Sequence, residues 1–469
     1  MVRDKAAASW WGSARPHAAP PLLAARPASS YREIIALLSC AYVVAFIDRG
    51  LVATAGAPLQ RDLHLSDTQF GLLSGPAFVV FFCLCSIPLG WLADRTSRQG
   101  VIAIGMCAWS LMTSVCALTS SFAGFFVARL GVGLGEACLV PAALSLIRNA
   151  APRGELAKAV ALFLMGATVG NAIALVGGSQ IIEHLGVALG TIPGMGGITP
   201  WRALFALASV PGMVLAVFVM RLRIPPRIPS TASLPRALRN AWRVLQVRRC
   251  AYFWLTASTT CIIVLSQTPT AWMPLWYVRR YGLSPGHSAM LIGLLFVISA
   301  PTGQWFGGML IDRMRSRGVT AAPQLLQGGS ALLCLPFAWG FCSSSTLSGS
   351  AASYAIYNLL AFAATPAGMT GWQWLTPQRA QGLIIALLVS GVTMAGIGLG
   401  PSAVGIVSDH TGSLGRALFV ILVACALAGT SCALLGTPGF VKATEQIRKR
   451  LGVERSGDTP AVSRAQGTA

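Results

Sequence analysis

The chain has 469 residues, 54% of them hydrophobic and 10% charged, with a mean hydropathy of +0.66. A soluble protein carries about 25% charged residues, so this is an integral membrane protein, and its span-length apolar runs exclude the short alternating strands of a barrel. The net charge of +21 does not mark a nucleic-acid binder, because the basic residues lie in short segments between those runs.

The first 30 residues, "MVRDKAAASWWGSARPHAAPPLLAARPASS", lack an apolar core of signal-peptide length and read as a disordered tail. Twelve helical spans follow, near 34–57, 69–92, 100–120, 122–147, 157–183, 201–221, 251–278, 287–311, 322–342, 347–373, 380–408 and 415–438. The even number puts both termini on one side. That side holds twenty-eight basic residues; the other holds Arg61, Arg202, Arg279, Arg280 and Arg416, while Arg49 and Arg129 lie inside spans. The asymmetry predicts cytoplasmic termini in an inner membrane.

The predicted domains are a six-helix bundle over 31–222, a cytoplasmic linker over 223–250, a second six-helix bundle over 251–438 and a tail over 439–469, disordered from about Arg450. In the linker, Leu234, Leu238, Trp242 and Leu245 recur at helical spacing with Arg236, Arg239 and Arg243 between them. This pattern predicts a basic amphipathic helix on the inner leaflet.

The two halves repeat. "GWLADRTSR" (90–98) follows span 2 and "GMLIDRMRSR" (308–317) follows span 8, with their Asp-Arg pairs 218 residues apart. Span 5 ends "GGSQIIEH" and span 11 ends "VGIVSDH", with Glu183 and Asp409 226 apart. Two equivalent halves predict a transporter with its site between them. Eleven of the twelve cysteines (all but Cys250) sit in apolar runs, where Cys is a small hydrophobe. Cys83 and Cys85 have no second pair at metal-ligand spacing, and the histidines are scattered. No metal site or cofactor is expected.

The segment G-x-x-x-D-R-x-x-R at Gly90, Asp94, Arg95 and Arg98, with a weaker copy at Gly308, Asp312 and Arg313, resembles the signature loop of the major facilitator superfamily. Within it, "FIDRGLV", "LHLSDTQFGLLSGPAF", "RLGVGLGEACLVPAALSLI" and "GIGLGPSAVGIVSD" resemble the spinster-like branch and its bacterial relatives. Animal members of that branch handle sphingosine phosphate or lysophospholipids. The organic anion–cation symporter branch, whose members carry hexuronate-like carboxylates, shares an Asp-Arg in span 1 and the seven-residue Arg-to-Glu spacing in span 4.

Four charges lie clearly inside spans: Asp48, Arg49, Arg129 and Glu136. Adjacent helix residues point about 100° apart, so Asp48 and Arg49 cannot pair side by side. Arg129 and Glu136 are two turns apart on one face. Counting ~1.5 Å per residue through a ~30 Å core brings Asp48 and Arg129 to one level. The expectation is an Asp48–Arg129 contact, with Glu136 deeper and Arg49 facing substrate or Glu136. Such a network could serve only helix packing, but buried pairs stabilise poorly and intramembrane charges mark ion or substrate paths. The resemblance implies proton coupling through the matching Asp and Glu.

The loop motif predicts Asp94 against the amino end of span 11, where free N–H groups favour an anion. Arg95 and Arg98 would tie the loop down, and Asp312 would repeat the contact against span 5. That latch would favour an outward-open state. By the resemblance, spans 7 and 10 face the central cavity, which makes Gln267, Trp272, Tyr357, Asn358 and Trp372 candidate lining residues. Gly166 and Gly170 in span 5, and Gly396 and Gly400 in span 11, permit close helix contact. Family members that exchange substrate for protons often carry Pro after such a Gly in span 5; here Asn171 follows Gly170. With no nucleotide loop, nucleophile elbow or soluble domain, an enzyme or a non-transporting receptor is the weaker reading. The expectation is a monomeric, proton-coupled secondary transporter for an amphipathic or anionic small molecule.

Overall fold

A computed structural model describes residues 29–152, 155–185, 199–224, 234–377 and 381–450. Most of both expected tails therefore lies outside the described residues. So do the side chains of Asp94, Leu234 and Arg236.

The described chain is helical, as a lipid-embedded backbone must be to satisfy its own N–H and C=O groups. Among the described residues, eleven helices are long and apolar enough to cross a membrane. The twelfth crossing, span 10, is broken: Leu347–Ala363 and Thr365–Leu375 meet at Ala364, with Pro366 in the first turn of the second piece. Proline there has no N–H to give back to the preceding turn.

Span 1 is Tyr31–Thr54, span 2 Asp67–Ser74 plus Pro76–Arg95, span 3 Arg98–Leu118 and span 4 Phe122–Glu136 plus Leu139–Ala150. Span 5 starts at Leu156 and carries two π-helical segments, Ile173–Gly177 and Ile181–Leu185. Span 6 is Pro200–Met220, span 7 Arg249–Tyr281, span 8 Pro285–Ser316 and span 9 Ala322–Ser343. Span 11 runs from Gln381 to Thr411 through a π-helical segment at Met394–Leu399. Span 12, Leu414–Arg450, continues beyond position 438. Serine caps open several spans: the hydroxyls of Ser30, Ser66, Ser97, Ser121 and Ser284 each accept an N–H of the first turn.

Packing repeats between the halves. Span 3 lies against spans 4 and 6, and span 2 against span 4; likewise span 9 lies against spans 10 and 12, and span 8 against span 10. Between halves, span 2 meets span 11 and span 5 meets span 8. At the end away from the termini, one apolar core is built from both halves, joining Phe70 and Leu73 to Trp272, Leu275 and Val404. Towards the termini the cores separate. One gathers Ile34, Ile102, Leu146 and Val219 of the first half; another gathers Ala241, Tyr252, Leu375 and Phe440 of the second.

The linker forms a helix, Leu234–Val247. Ala241 is buried and Val244 and Leu245 pack beside Ile384 and Leu388 of span 11, whereas Trp242 is 62% exposed beside exposed Arg239 and Arg243. The apolar face is thus shared between the protein and its surroundings.

Candidate functional site

Asp48, Arg129 and Glu136 are almost wholly buried, and Arg49 keeps 18% of its side chain exposed. Arg49 answers Glu136: its Nε donates to Glu136 Oε2 at 2.8 Å and its Nη2 stands 2.7 Å from the same oxygen. The other oxygen, Oε1, has no hydrogen-bond partner among the described residues. The Arg49 guanidinium carbon also lies 4.4 Å from the Phe46 ring centroid, 4.6 Å from Phe78 and 4.7 Å from Phe82.

The expected Asp48–Arg129 contact is made differently. Arg129 Nη1 donates to the Asp48 backbone carbonyl at 3.3 Å, not to its carboxylate. The carboxylate instead accepts from the Thr113 hydroxyl of span 3 at 3.3 Å, and its Oδ1 has no hydrogen-bond partner among the described residues. Helix depth placed the two residues at one level; it could not say which oxygen the guanidinium would take. Thr113 escaped notice because a lone Thr in an apolar run carries no charge signal.

Among the loop residues, Gly90 packs against Pro141 of span 4, where a Cβ would come within 2.9 Å of the ring. Arg95 lies over the Trp91 ring at 4.3 Å, and Arg98 is buried at the start of span 3. Asp94 falls within span 2, but its side chain is outside the description, so its expected seat on span 11 is not observed. Asp312 and Arg313 are exposed, and among the described residues nothing pairs with the Asp312 carboxylate. Instead Arg315 stacks on Trp374 of span 10 at 4.4 Å. Gly308 faces open space.

Four of the five lining candidates are engaged within the protein. Trp272 donates to the Pro401 carbonyl at 3.2 Å and meets Phe70 edge-on. Tyr357 donates to Leu265 O, Asn358 to Ser299 and Trp372 to Thr256. Gln267 is half-buried, with no side-chain hydrogen bond among the described residues.

The halves are clasped at the end away from the termini, by residues the sequence showed only as a repeat. Asp409, closing span 11, accepts the Asp67 N–H at 3.0 Å and the Thr68 N–H at 2.8 Å at the start of span 2. Arg279 of span 7 forks onto Asp67 at 2.9 and 2.6 Å and onto Gln60 at 2.8 Å. Ser408 adds a 2.6 Å bond to Asp67. The equivalent contact joins Glu183, closing span 5, to the start of span 8. There it accepts from the cap Ser284 at 2.8 Å, with His287 Nδ1 at 3.8 Å. Pro285 opens that helix and has no N–H to offer, so the hydroxyl replaces the backbone. The legible signal was there: Ser66 and Ser284 are 218 residues apart, the spacing of Asp94 and Asp312.

The model of the Major Facilitator Superfamily matches residues 38–401. The chain belongs to the Major Facilitator Superfamily. It is therefore a multi-pass membrane protein of a family of transporters, and its likeness within that family is to the spinster type. An MFS-type efflux pump of Mycolicibacterium smegmatis is 25% identical over 87% of this chain and 92% of its own length. Protein spinster of Drosophila melanogaster is 23% identical over 66% of this chain, which spans half of that protein. A probable L-galactonate transporter of Escherichia coli is 24% identical over 60% of this chain and 62% of its own. In fold, the chain is similar to a bacterial homologue of the human lysosomal transporter Spinster in an inward-facing, unoccupied conformation. That likeness has a TM-score of 0.74 at 22% identity, over 90% of this chain and 99% of the other.

Proposed function

We propose that this member of the superfamily carries an amphipathic or anionic organic molecule by alternating access, coupled to protons. It would work as a monomer in an inner membrane with both termini in the cytoplasm. The two bundles, 31–222 and 251–438, would rock about the linker, whose basic helix lies on the inner leaflet. The observation that carries the reading is Glu136: fully buried, tied to Arg49 through one oxygen and, among the described residues, without a hydrogen-bond partner on the other. A proton on that carboxyl removes the Coulomb part of the pair and loosens Arg49, the one cluster member that is part-exposed. A substrate anion then takes the carboxylate's place on the guanidinium, for which Arg is well suited. Asp48, buried next to Arg49 on span 1, holds a second titratable carboxyl.

Two cargo classes fit. A lysolipid- or sphingolipid-like head follows from the spinster likeness and the aromatic surroundings of Arg49. A hexuronate-like carboxylate follows from the likeness to the L-galactonate transporter and the same free anion seat. Asp94 and Asp312 would latch the cytoplasmic side in the opposite state, when the far-end clasp is broken.

The test is uptake into proteoliposomes under an imposed pH gradient, with L-galactonate and a lysophospholipid as probes and an internal pH dye as second readout. Glu136→Gln should abolish gradient-driven accumulation and dye response while leaving exchange between loaded vesicles. Wild-type accumulation in that variant would remove Glu136 from the coupling step. The relative uptake of the two probes decides the cargo class.

A further inference from the structure

Arg49 has a second set of partners that does not titrate. Its guanidinium carbon is within 4.7 Å of three ring centroids, Phe46 on span 1 and Phe78 and Phe82 on span 2. A cation over an aromatic face is attracted by the ring quadrupole, and more so out of water. This attraction is the same whether Glu136 is charged or neutral. We propose that Phe46, Phe78 and Phe82 are positioning residues: a second seat that keeps the Arg49 cation in place when Glu136 no longer holds it.

The rings are built to stay where they are. Phe78 and Phe82 are one turn apart and stacked, with centroids 5.2 Å apart and planes 27° apart. Gly133 of span 4 packs directly on the Phe78 carbonyl and close to the Phe82 amide, so any side chain there would push span 2 away. On the other side, a Cβ on Gly170 of span 5 would come within 2.7 Å of Phe46 Cβ, and Tyr42 meets the Phe46 ring edge-on at 4.9 Å. Two glycines thus bring the rings to the guanidinium. Phe78 also faces Arg129, at 5.4 Å, and bridges the two cations, whereas among the described residues Phe46 and Phe82 face Arg49 only. A mobile arginine in a low-dielectric site would swing to the nearest carboxylate or carbonyl once Glu136 let go. Held by the rings, it keeps its fork aimed where the substrate arrives.

The inference rests on the reading that Glu136 becomes neutral during the cycle. Its test imposes that state by Glu136→Gln, so it can fail while the coupling assay succeeds, and the reverse. The readout is the rate at which phenylglyoxal modifies Arg49 in the purified, full-length protein, followed by peptide mass spectrometry. Wild type and Phe46→Leu/Phe82→Leu should react slowly, because the ion pair remains. Glu136→Gln should also react slowly, because the rings remain. The variant combining all three changes should react about five- to thirtyfold faster, since two cation–ring contacts, about 1–2 kcal/mol together, are lost with the pair. Phe82→Tyr combined with Glu136→Gln keeps all three ring faces and should stay slow, which separates the ring face from mere packing. Phe82→Leu with Glu136→Gln serves if the larger combination does not fold. If Glu136→Gln alone reacts as fast as the combined variant, or the combined variant as slowly as Glu136→Gln, the rings do not hold the cation.

Discussion

Asp409 reaches across from one half of the molecule to the other and caps the start of span 2, its two oxygens taking the Asp67 and Thr68 N–H groups. A helix amino terminus presents unsatisfied donors and a partial positive charge, so a carboxylate there is favoured on both counts. Because the donors and the acceptor belong to different halves, opening this end must break the cap. In the alternating-access cycle proposed above, the clasp is therefore one of the terms that sets the balance between the two states.

Asp409→Asn keeps the shape and one acceptor but loses the charge. Charge-assisted hydrogen bonds contribute about 1.5–3 kcal/mol, and a change of about 1–3 kcal/mol moves a two-state ratio some 5–150-fold. The expected shift is towards opening at the clasped end. Ser402, buried behind the clasp with its hydroxyl bonded to Gly71 O, is the reporter. A Ser402→Cys variant in a background free of native cysteines should react faster with a membrane-impermeant maleimide when Asp409→Asn is added. Equal rates would mean that the cap does not govern that end.

Arg279→Lys makes a related prediction. The guanidinium holds both oxygens of Asp67 and the Gln60 amide at once, a geometry that a point-charge ammonium cannot copy. The substitution keeps the net charge, so a loss cannot be blamed on long-range electrostatics. Maleimide reactivity at position 402 should rise here too, by less than for Asp409→Asn. Retention of the wild-type rate would reduce the fork to a surface ion pair of little weight.

The repeat, the crossings and the four intramembrane charges were legible because lipid makes each of them conspicuous. An apolar run of span length has few other readings, and a charge inside one stands out. What the sequence could not supply was the choice among pairings: it left Arg49 facing substrate or Glu136, and it put Arg129 at Asp48 without naming the oxygen. Arg49 and Glu136 come from different helices whose rotation is set by packing at Gly133 and Gly170, not by spacing along either chain. The carboxylate-on-helix device was expected of Asp94; the structure exhibits it with Asp409, at the other end. Span 10 read as continuous because its break at Ala364 leaves hydropathy unchanged.

Thr113 gives a sharper test of the Asp48 environment. Its hydroxyl meets the carboxylate while the Arg129 hydrogen bond goes to the backbone carbonyl. Thr113→Val and Asp48→Asn should therefore couple, by about 0.5–1.5 kcal/mol in a double-mutant cycle on thermal unfolding in detergent. Asp48→Asn should also cost less stability than Arg129→Gln, since the arginine keeps its carbonyl partner in the first and the carbonyl loses its donor in the second. An Arg129→Gln variant more stable than Asp48→Asn would show that the carboxylate, not the carbonyl, is what Arg129 serves.

The Arg49–Glu136 pair separates folding from transport. Glu136 is fully buried, so removing Arg49 leaves its carboxylate as an uncompensated buried charge, at a cost of about 3–5 kcal/mol; removing Glu136 costs less, because Arg49 keeps its rings and an 18% exposed side chain. Replacing both leaves no stranded charge, and the desolvation penalty disappears along with the attraction. Arg49→Gln and Glu136→Gln should thus each lower the thermal midpoint, and the double variant should recover most of the loss. Accumulation driven by a pH gradient should not return with it, because a pair of amides can neither take the proton nor seat the anion. Additive losses in the double variant would mean that the two side chains, 2.8 Å apart in the structure, are not energetically coupled. Full recovery of both stability and accumulation would instead leave the pair as a packing device and move the coupling step to Asp48.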